Sequence, residues 1–217
     1  MKRPREGSEL DIIVLSPENA YPGERQWVNR LFAAGLRRFH LRKPGWRDAD
    51  FEAYLENISP DWRTKVVVHQ CHGAVEKYHL GGWHCIDREE QLKSIPPLRA
   101  SVPFPTTLSR SIHRLDDLDG DLTSWDYVFL SPVYRSITKA NYGPRWERTE
   151  LEAAIRRCKD LSPAKVYALG GVEPGNIPDC ALMGFDGVAL LGAIWSSHHP
   201  IRMFREAKEA ISLPVLP

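Results

Sequence analysis

Two kinds of hydrophobic pattern alternate along the whole chain. Short apolar or β-branched runs fall at Leu10–Leu15, Arg38–Leu41, Lys65–His69, Gly82–Cys85, Thr106–Ser111, Tyr127–Leu130, Val166–Leu169 and Gly187–Leu191, each the length of a strand. Between them lie stretches with helical spacing, among them Glu24–Ala34, Asp48–Ile58, Glu150–Lys159 and Pro200–Ile211. Strands that alternate with helices pair in parallel through crossover connections, and eight such units in about 200 residues match the smaller (β/α)8 barrels. The expected fold is therefore an α/β barrel forming a single domain over residues 1–217, with its core at about 10–211. A doubly wound open sheet would show the same alternation, because strand order is not written in the pattern. Pro96, Pro97, Pro103 and Pro105 make the link between the fourth and fifth units irregular. No internal repeat or linker marks a second domain.

Charge narrows the partners. The chain has 29 Lys and Arg against 28 Asp and Glu, a net charge of +1. Nucleic acid and anionic membranes select clustered cations, so neither is expected as a partner, and any anion must be held locally. The first ten residues are polar, and no run approaches the ~20 apolar residues of a membrane span. Cys71, Cys85, Cys158 and Cys180 are too sparse for a disulfide framework. The expectation is a cytoplasmic protein with reduced thiols. Barrels of this size often pair, which makes a homodimer compatible with the chain.

In a barrel of this kind the chemistry sits where the strands end at their carboxyl side. The residues there are Arg42 and Lys43, His69 and Gln70, His84 and Cys85, Ser111 and His113, Ser131 through Lys139, Gly170 and Gly171, and Leu191 through Ala193. The last two strands run into Ala168-Leu-Gly-Gly171 and Ala189-Leu-Leu-Gly-Ala193. Small residues after strands seven and eight let backbone N–H groups approach a ligand, so Gly170, Gly171, Leu191 and Gly192 are the expected phosphate cradle. Tight turns alone would also account for the glycines. The loop after the sixth strand carries Ser136, Thr138 and Lys139, two hydroxyls and a cation suited to an anionic substrate.

The order and spacing of these pieces resemble the thiamine phosphate synthase and TenI group from about Ile12 to Ala210. The residues that carry the resemblance are His40-Leu-Arg42-Lys43, Gly82-Trp-His84, Ser111-Ile-His113, Ser131-Pro-Val followed by Ser136-Ile-Thr138-Lys139, and the two glycine loops. The resemblance implies a (β/α)8 barrel that binds a thiazole phosphate. It also implies one of two reactions. A synthase couples the thiazole to an aminopyrimidine methyl pyrophosphate and expels pyrophosphate with Mg²⁺. TenI isomerises a dihydrothiazole carboxylate phosphate to the aromatic thiazole without a metal.

The residues discriminate between them. Mg²⁺ requires hard oxygen ligands, usually carboxylates. Where the synthases end the third strand with an Asn-Asp pair, this chain has His69-Gln70. The second metal carboxylate has only Glu89, or Asp87 in a shifted register, as a substitute. Consecutive strand residues point to opposite faces, so Arg42 and Lys43 cannot both enter the mouth unless the strand has ended. A tautomerisation needs one group that removes a proton from carbon and returns it elsewhere, and histidine suits that task. The resemblance places this role on His113.

The expected function is thus metal-independent tautomerisation of a thiazole carboxylate phosphate in thiamine biosynthesis. His113 is the acid and base; Arg42, Lys43, His69, Ser111, Ser136, Thr138 and Lys139 contact substrate; and no cofactor is required. The rival is the synthase, with Glu89 and Gln70 as an atypical Mg²⁺ site. A non-catalytic protein that binds thiazole phosphate or thiamine phosphate is a third reading. One feature fits neither enzyme: His69, His72, His79 and His84, four of the eight histidines, lie with Cys71 and Cys85 in one short stretch. Imidazole and thiolate would suit zinc, yet no Cys-x2-Cys or His-x3-His pair appears. Otherwise His69 and His84 face the mouth, the cysteines are small buried hydrophobes, and His40 is a core residue or a substrate contact.

Overall fold

A computed structural model describes residues 10–86, 100, 102–135 and 146–212. Eight strands, β1 (Asp11–Leu15), β2 (Arg38–Leu41), β3 (Val66–Val68), β4 (Gly82–Cys85), β5 (Thr107–Ile112), β6 (Tyr127–Leu130), β7 (Lys165–Leu169) and β8 (Gly187–Leu190), close in sequence order into a barrel. Every neighbouring pair is parallel, and β1 pairs with β8 to complete the ring. This excludes the open-sheet alternative.

The outer helices among the described residues are α1 (Glu24–Ala33), α2 (Asp48–Glu56), α3 (Pro60–Arg63), α4 (Ala74–Tyr78), α5 (Arg148–Leu161), α6 (Ile177–Leu182), α7 (Gly192–Trp195) and α8 (Pro200–Ser212). Their buried faces follow the helical period. In α1 they are Val28, Leu31 and Phe32; in α5, Leu151, Ala154, Ile155 and Cys158. At the start of α5 the Glu150 carboxylate accepts the Glu147 N–H at 2.7 Å, satisfying a donor the helix leaves unpaired.

The strands sort their side chains by period two. One set, including Val14, Phe39, Leu41, Val66, Val68, Trp83, Leu108, Val128, Val166 and Val188, faces outward and packs under the helices. The inward set is divided. On the β1, β6, β7 and β8 side, Ile13, Leu15, Tyr127, Phe129, Tyr167 and Ala189 form an apolar cluster. Toward β2, β3, β4 and β5 the interior is polar, with His40, His69, His84 and Ser109 all buried. Strand register lays these residues side by side, His84 beside Ser109 and Ser109 beside Tyr127. Gly187 makes room for the apolar half, since a Cβ there would stand 2.4 Å from the Tyr167 ring.

No helix among the described residues is long and apolar enough to cross a membrane.

Candidate functional site at the carboxyl ends of the strands

The second strand ends at Leu41, and the next two residues diverge. Arg42 stays partly exposed and pairs with the Glu18 carboxylate on the β1 loop. Its backbone is fixed by Ser16, whose hydroxyl accepts the Arg42 N–H at 2.8 Å and donates to the Arg42 carbonyl at 2.9 Å. Lys43 turns the other way. Its ammonium is 1% exposed, lies 2.6 Å from the Glu24 carboxylate and donates to the Pro17 carbonyl at 2.6 Å. Glu24 also accepts the Tyr54 hydroxyl at 2.9 Å. Burial raises the Glu24 carboxyl pKa, and the Lys43 charge and hydrogen bond oppose that rise. Lys43, expected to touch substrate, is therefore a structural cation behind the β2 loop. β2 ends before both residues, so strand alternation does not set their directions; the loop leaves Arg42 partly exposed and buries Lys43.

The ends of β3 and β4 bring the histidines together. His40 Nδ1 lies 3.0 Å from His69 Nε2, and His40 Nε2 lies 2.8 Å from the Tyr127 hydroxyl. His84 is held between Ser109 Oγ at 2.8 Å and Ser111 Oγ at 2.9 Å. The His69 and His84 rings stack at 4.1 Å. Burial drives all three imidazoles toward the neutral form. The His84 pKa falls to about 3, with the Arg42 and His113 charges adding to the effect of burial. His40 and His69 are lowered well below the ordinary histidine value by burial first and by neighbouring positive groups second. Trp83 ties the two strand ends together, its indole N–H donating to the His72 carbonyl at 3.1 Å.

Of the other members of the His/Cys stretch, Cys85 is fully buried and burial pushes its thiol up to about 12. Desolvation raises Cys71 to about 11. Both are far from thiolate at neutral pH, so neither is a ready soft ligand.

His113 sits just past β5, partly exposed. Its Nδ1 is 3.0 Å from the Ser131 carbonyl. A carbonyl only accepts, so Nδ1 carries a proton, and in the neutral ring Nε2 carries the lone pair. Ser111, which His84 holds, lies two residues earlier on the same face of the strand. A proton acceptor and a positioned hydroxyl thus flank one side of the mouth.

Two strands further round the barrel, Gly170 and Gly171 after β7 have φ of +92° and +70°. A Cβ on Gly171 would lie 2.2 Å from the Arg135 carbonyl oxygen, and one on Gly170 would lie 2.9 Å from Pro132 Cα. The β6 loop extends the pairing over them, Val133 N–H donating to Leu169 O at 3.0 Å and Tyr134 N–H to Gly170 O at 2.9 Å. These glycines are required by that close approach as well as by their backbone angles. After β8, the first intrahelical bonds of α7 run from Ile194 and Trp195 N–H to the Leu191 carbonyl. The Gly192 and Ala193 N–H groups therefore precede the helical hydrogen bonds, as an anion cradle demands.

Ser136, Thr138 and Lys139, and with them Glu89 and Asp87, lie outside the described residues. Gln70 is described, and its amide oxygen is buried without a hydrogen-bond partner. Among the described residues, the one convergent set of three or more His, Cys, Asp or Glu ligands is His40, His69 and His84. Three imidazoles with a single neutral amide nearby are a poor match to Mg²⁺, which favours hard oxygen donors. The described donor set does not fit that ion.

The polar interior reaches further than the expected site residues. Arg38, whose guanidinium lies 4.7 Å from the Tyr127 ring centroid, and Ser109 and Tyr127 join it. The signal was present in the sequence as polar residues spaced by two, Arg38, His40 and Arg42 in one strand and Thr107, Ser109 and Ser111 in another.

Comparison with known proteins agrees with this architecture. The family profile described as thiamine monophosphate synthase (TMP-TENI) matches residues 13–194. A thiamine-phosphate synthase of Staphylococcus haemolyticus is 24% identical over 81% of this chain and 82% of its own length. The thiamine-phosphate synthase of Laribacter hongkongensis is 23% identical over 89% of this chain and 91% of its own. In structure, thiamine phosphate pyrophosphorylase from Bacteroides thetaiotaomicron superposes with a TM-score of 0.74 at 23% identity, covering 93% of this chain and 97% of that one. With the profile spanning most of the barrel, the chain belongs to the thiamine monophosphate synthase family.

Proposed function

We propose that this chain acts in thiamine biosynthesis on a thiazole phosphate bound at the carboxyl-end mouth. The observation that carries the proposal is that the same carboxyl end of the barrel presents the N–H groups of Gly192 and Ala193 after β8 and His113 with Ser111 at the end of β5. In this reading the phosphate rests on the amides of the β7 and β8 loops. Arg42 supplies the cation, and its backbone bond to Ser16 keeps it at the rim.

Coupling to an aminopyrimidine methyl pyrophosphate is the first reading of the reaction, because relatives covering four fifths or more of the chain carry the name thiamine-phosphate synthase. This places the synthase ahead of the tautomerase expected from the sequence. In coupling, the thiazole nitrogen bonds to the methylene carbon as the bond to pyrophosphate breaks. Arg42 then faces the leaving anion, and Ser111 orients the acceptor ring.

One observation favours isomerisation as a second reading: where the synthases end the third strand with an Asn-Asp pair, this chain presents His69 and Gln70, an imidazole and a neutral amide without a carboxylate. There His113 Nε2 takes the proton from carbon and returns it, while the Ser131 carbonyl stabilises the imidazolium through Nδ1–H.

The two reactions are separated by incubating the protein with each substrate set, with and without EDTA, and identifying thiamine phosphate by mass spectrometry and the aromatic thiazole, equal in mass to its precursor, by NMR or ultraviolet absorption. Thiamine phosphate formation identifies the synthase, and EDTA-resistant aromatisation identifies the isomerase. If isomerisation is found, His113→Ala is expected to lower kcat about 10²–10⁴-fold with little change in KM. Absence of both products would contradict the enzymatic proposal.

A further inference from the structure

Beyond the bond by which His84 holds Ser111, neither reaction as described uses the imidazole cluster inside the barrel. His40, His69 and His84 come from three adjacent strands, and each offers a ring nitrogen within 4.8 Å of the other two. All three are buried, at 0%, 3% and 0% exposure. Among the described residues no carboxylate or thiolate joins them.

The nitrogens on the far sides of two rings already have fixed partners. His40 Nε2 meets the Tyr127 hydroxyl at 2.8 Å, and His84 Nδ1 meets Ser109 Oγ at 2.8 Å. When those nitrogens donate, His40 Nδ1 and His84 Nε2 carry lone pairs, the first beside His69 Nε2 at 3.0 Å and the second beside Ser111 Oγ at 2.9 Å. Metal-binding histidines are oriented in this way, by an outer N–H bonded to a fixed acceptor. The third ring completes the set from an unsettled position: His69 Nδ1 is buried with no hydrogen-bond partner. In the metal-free arrangement His69 Nε2 and His40 Nδ1 share one proton across 3.0 Å.

The His40–His69 separation agrees with a small tetrahedral ion. Two nitrogens bound at 2.0–2.1 Å in a tetrahedron stand about 3.3 Å apart. The 3.0 Å contact between His40 and His69 therefore needs to open by only a few tenths of an ångström. The His69 and His84 rings, stacked at an interplanar angle of 28°, must tilt toward the ion. Ser111 Oγ, 2.9 Å from His84 Nε2 and partly exposed, marks the route from the mouth and the place of a fourth, exchangeable oxygen ligand.

We propose that His40, His69 and His84 form a three-histidine site for a divalent transition metal such as zinc, opening toward the mouth beside Ser111. Nitrogen donors without carboxylate select borderline ions such as Zn²⁺ and Co²⁺ over Mg²⁺. The site thus carries a different class of ion from the one the resemblance attaches to pyrophosphate release.

The test is titration of tag-free, chelator-treated full-length protein with Co²⁺, read by visible absorption, and with Zn²⁺ by competition. One equivalent of Co²⁺ with tetrahedral d–d bands is expected, displaced by Zn²⁺ and unaffected by millimolar Mg²⁺. His69→Gln and His84→Gln should each weaken binding about 100-fold or more, while the exposed-loop double variant His198→Ala/His199→Ala binds as wild type. X-ray absorption of the Zn²⁺-loaded wild type supplies an answer independent of whether variants fold, and three imidazoles in the first shell are expected. No stoichiometric binding, fewer than two imidazoles, or binding that survives His69→Gln but is lost in the double variant would overturn the proposal.

Discussion

Lys43→Met is expected to destabilise the fold by about 3–5 kcal/mol at neutral pH, the range for removing one partner of a buried ion pair. Methionine leaves the volume nearly filled, so the loss is electrostatic and includes the contact of the Lys43 ammonium with the Trp46 ring, 5.3 Å from its centroid. What remains is the Glu24 carboxylate, 8% exposed, which keeps the hydrogen bond from the Tyr54 hydroxyl. Burial already raises its pKa with Lys43 present, and without that cation the ionised form must be neutralised or left uncompensated. Adding Glu24→Gln removes the stranded charge, and the double variant should recover most of the loss. Urea denaturation of wild type, both single variants and the double variant reads this directly. A Lys43→Met loss under 1 kcal/mol, or a double variant as unstable as the single, would return Lys43 to the list of substrate contacts.

Acidification of the metal-free protein has the second large effect. His40, His69 and His84 are held neutral in the fold, with pKa values lowered from 6.5, to about 3 for His84. In the unfolded chain they titrate near 6.5, so below that pH the unfolded state binds more protons. Their neutral-state stability is therefore fully present above pH 6.5 and is lost as pH falls toward the folded values. Each contributes a slope of about 1.4 kcal/mol per pH unit, about 4 kcal/mol per unit for all three while none is protonated in the fold. A domain of total stability about 5–15 kcal/mol cannot sustain that slope far below pH 5. Arg38 and Arg42 add positive charge to the same region and deepen the effect. Denaturation from pH 7.5 to 4.5 should show it, and His84→Gln should reduce the slope by about one proton. A flat stability profile between pH 7 and 5 would contradict the neutral-cluster description.

The barrel was legible because its parallel strands, buried on both faces, read as compact apolar runs. Gly82–Cys85 and Tyr127–Leu130 match the expected ranges, and α1 ends within one residue of its expected end. β3 is shorter than expected, ending at Val68, so His69 lies just past the strand, where its ring reaches His40. That His40, His69 and His84 converge was not readable, because residues 29 and 15 apart meet only through barrel closure and strand register. Lys43 was misplaced for a similar reason: its partner Glu24 sits on α1, and nothing local in the sequence pairs them. The glycine loop after β7 was found by composition, but composition could not show that the β6 loop presses on it through Arg135.

The central claim, that the mouth is built for a phosphorylated thiazole, is tested most directly by calorimetric titration of thiazole phosphate against the same thiazole alcohol lacking phosphate. Stoichiometric binding of the phosphate ester, weakened about 100-fold or more when the phosphate is absent, is the predicted result. Equal affinity for the two, or no binding of either, would contradict it.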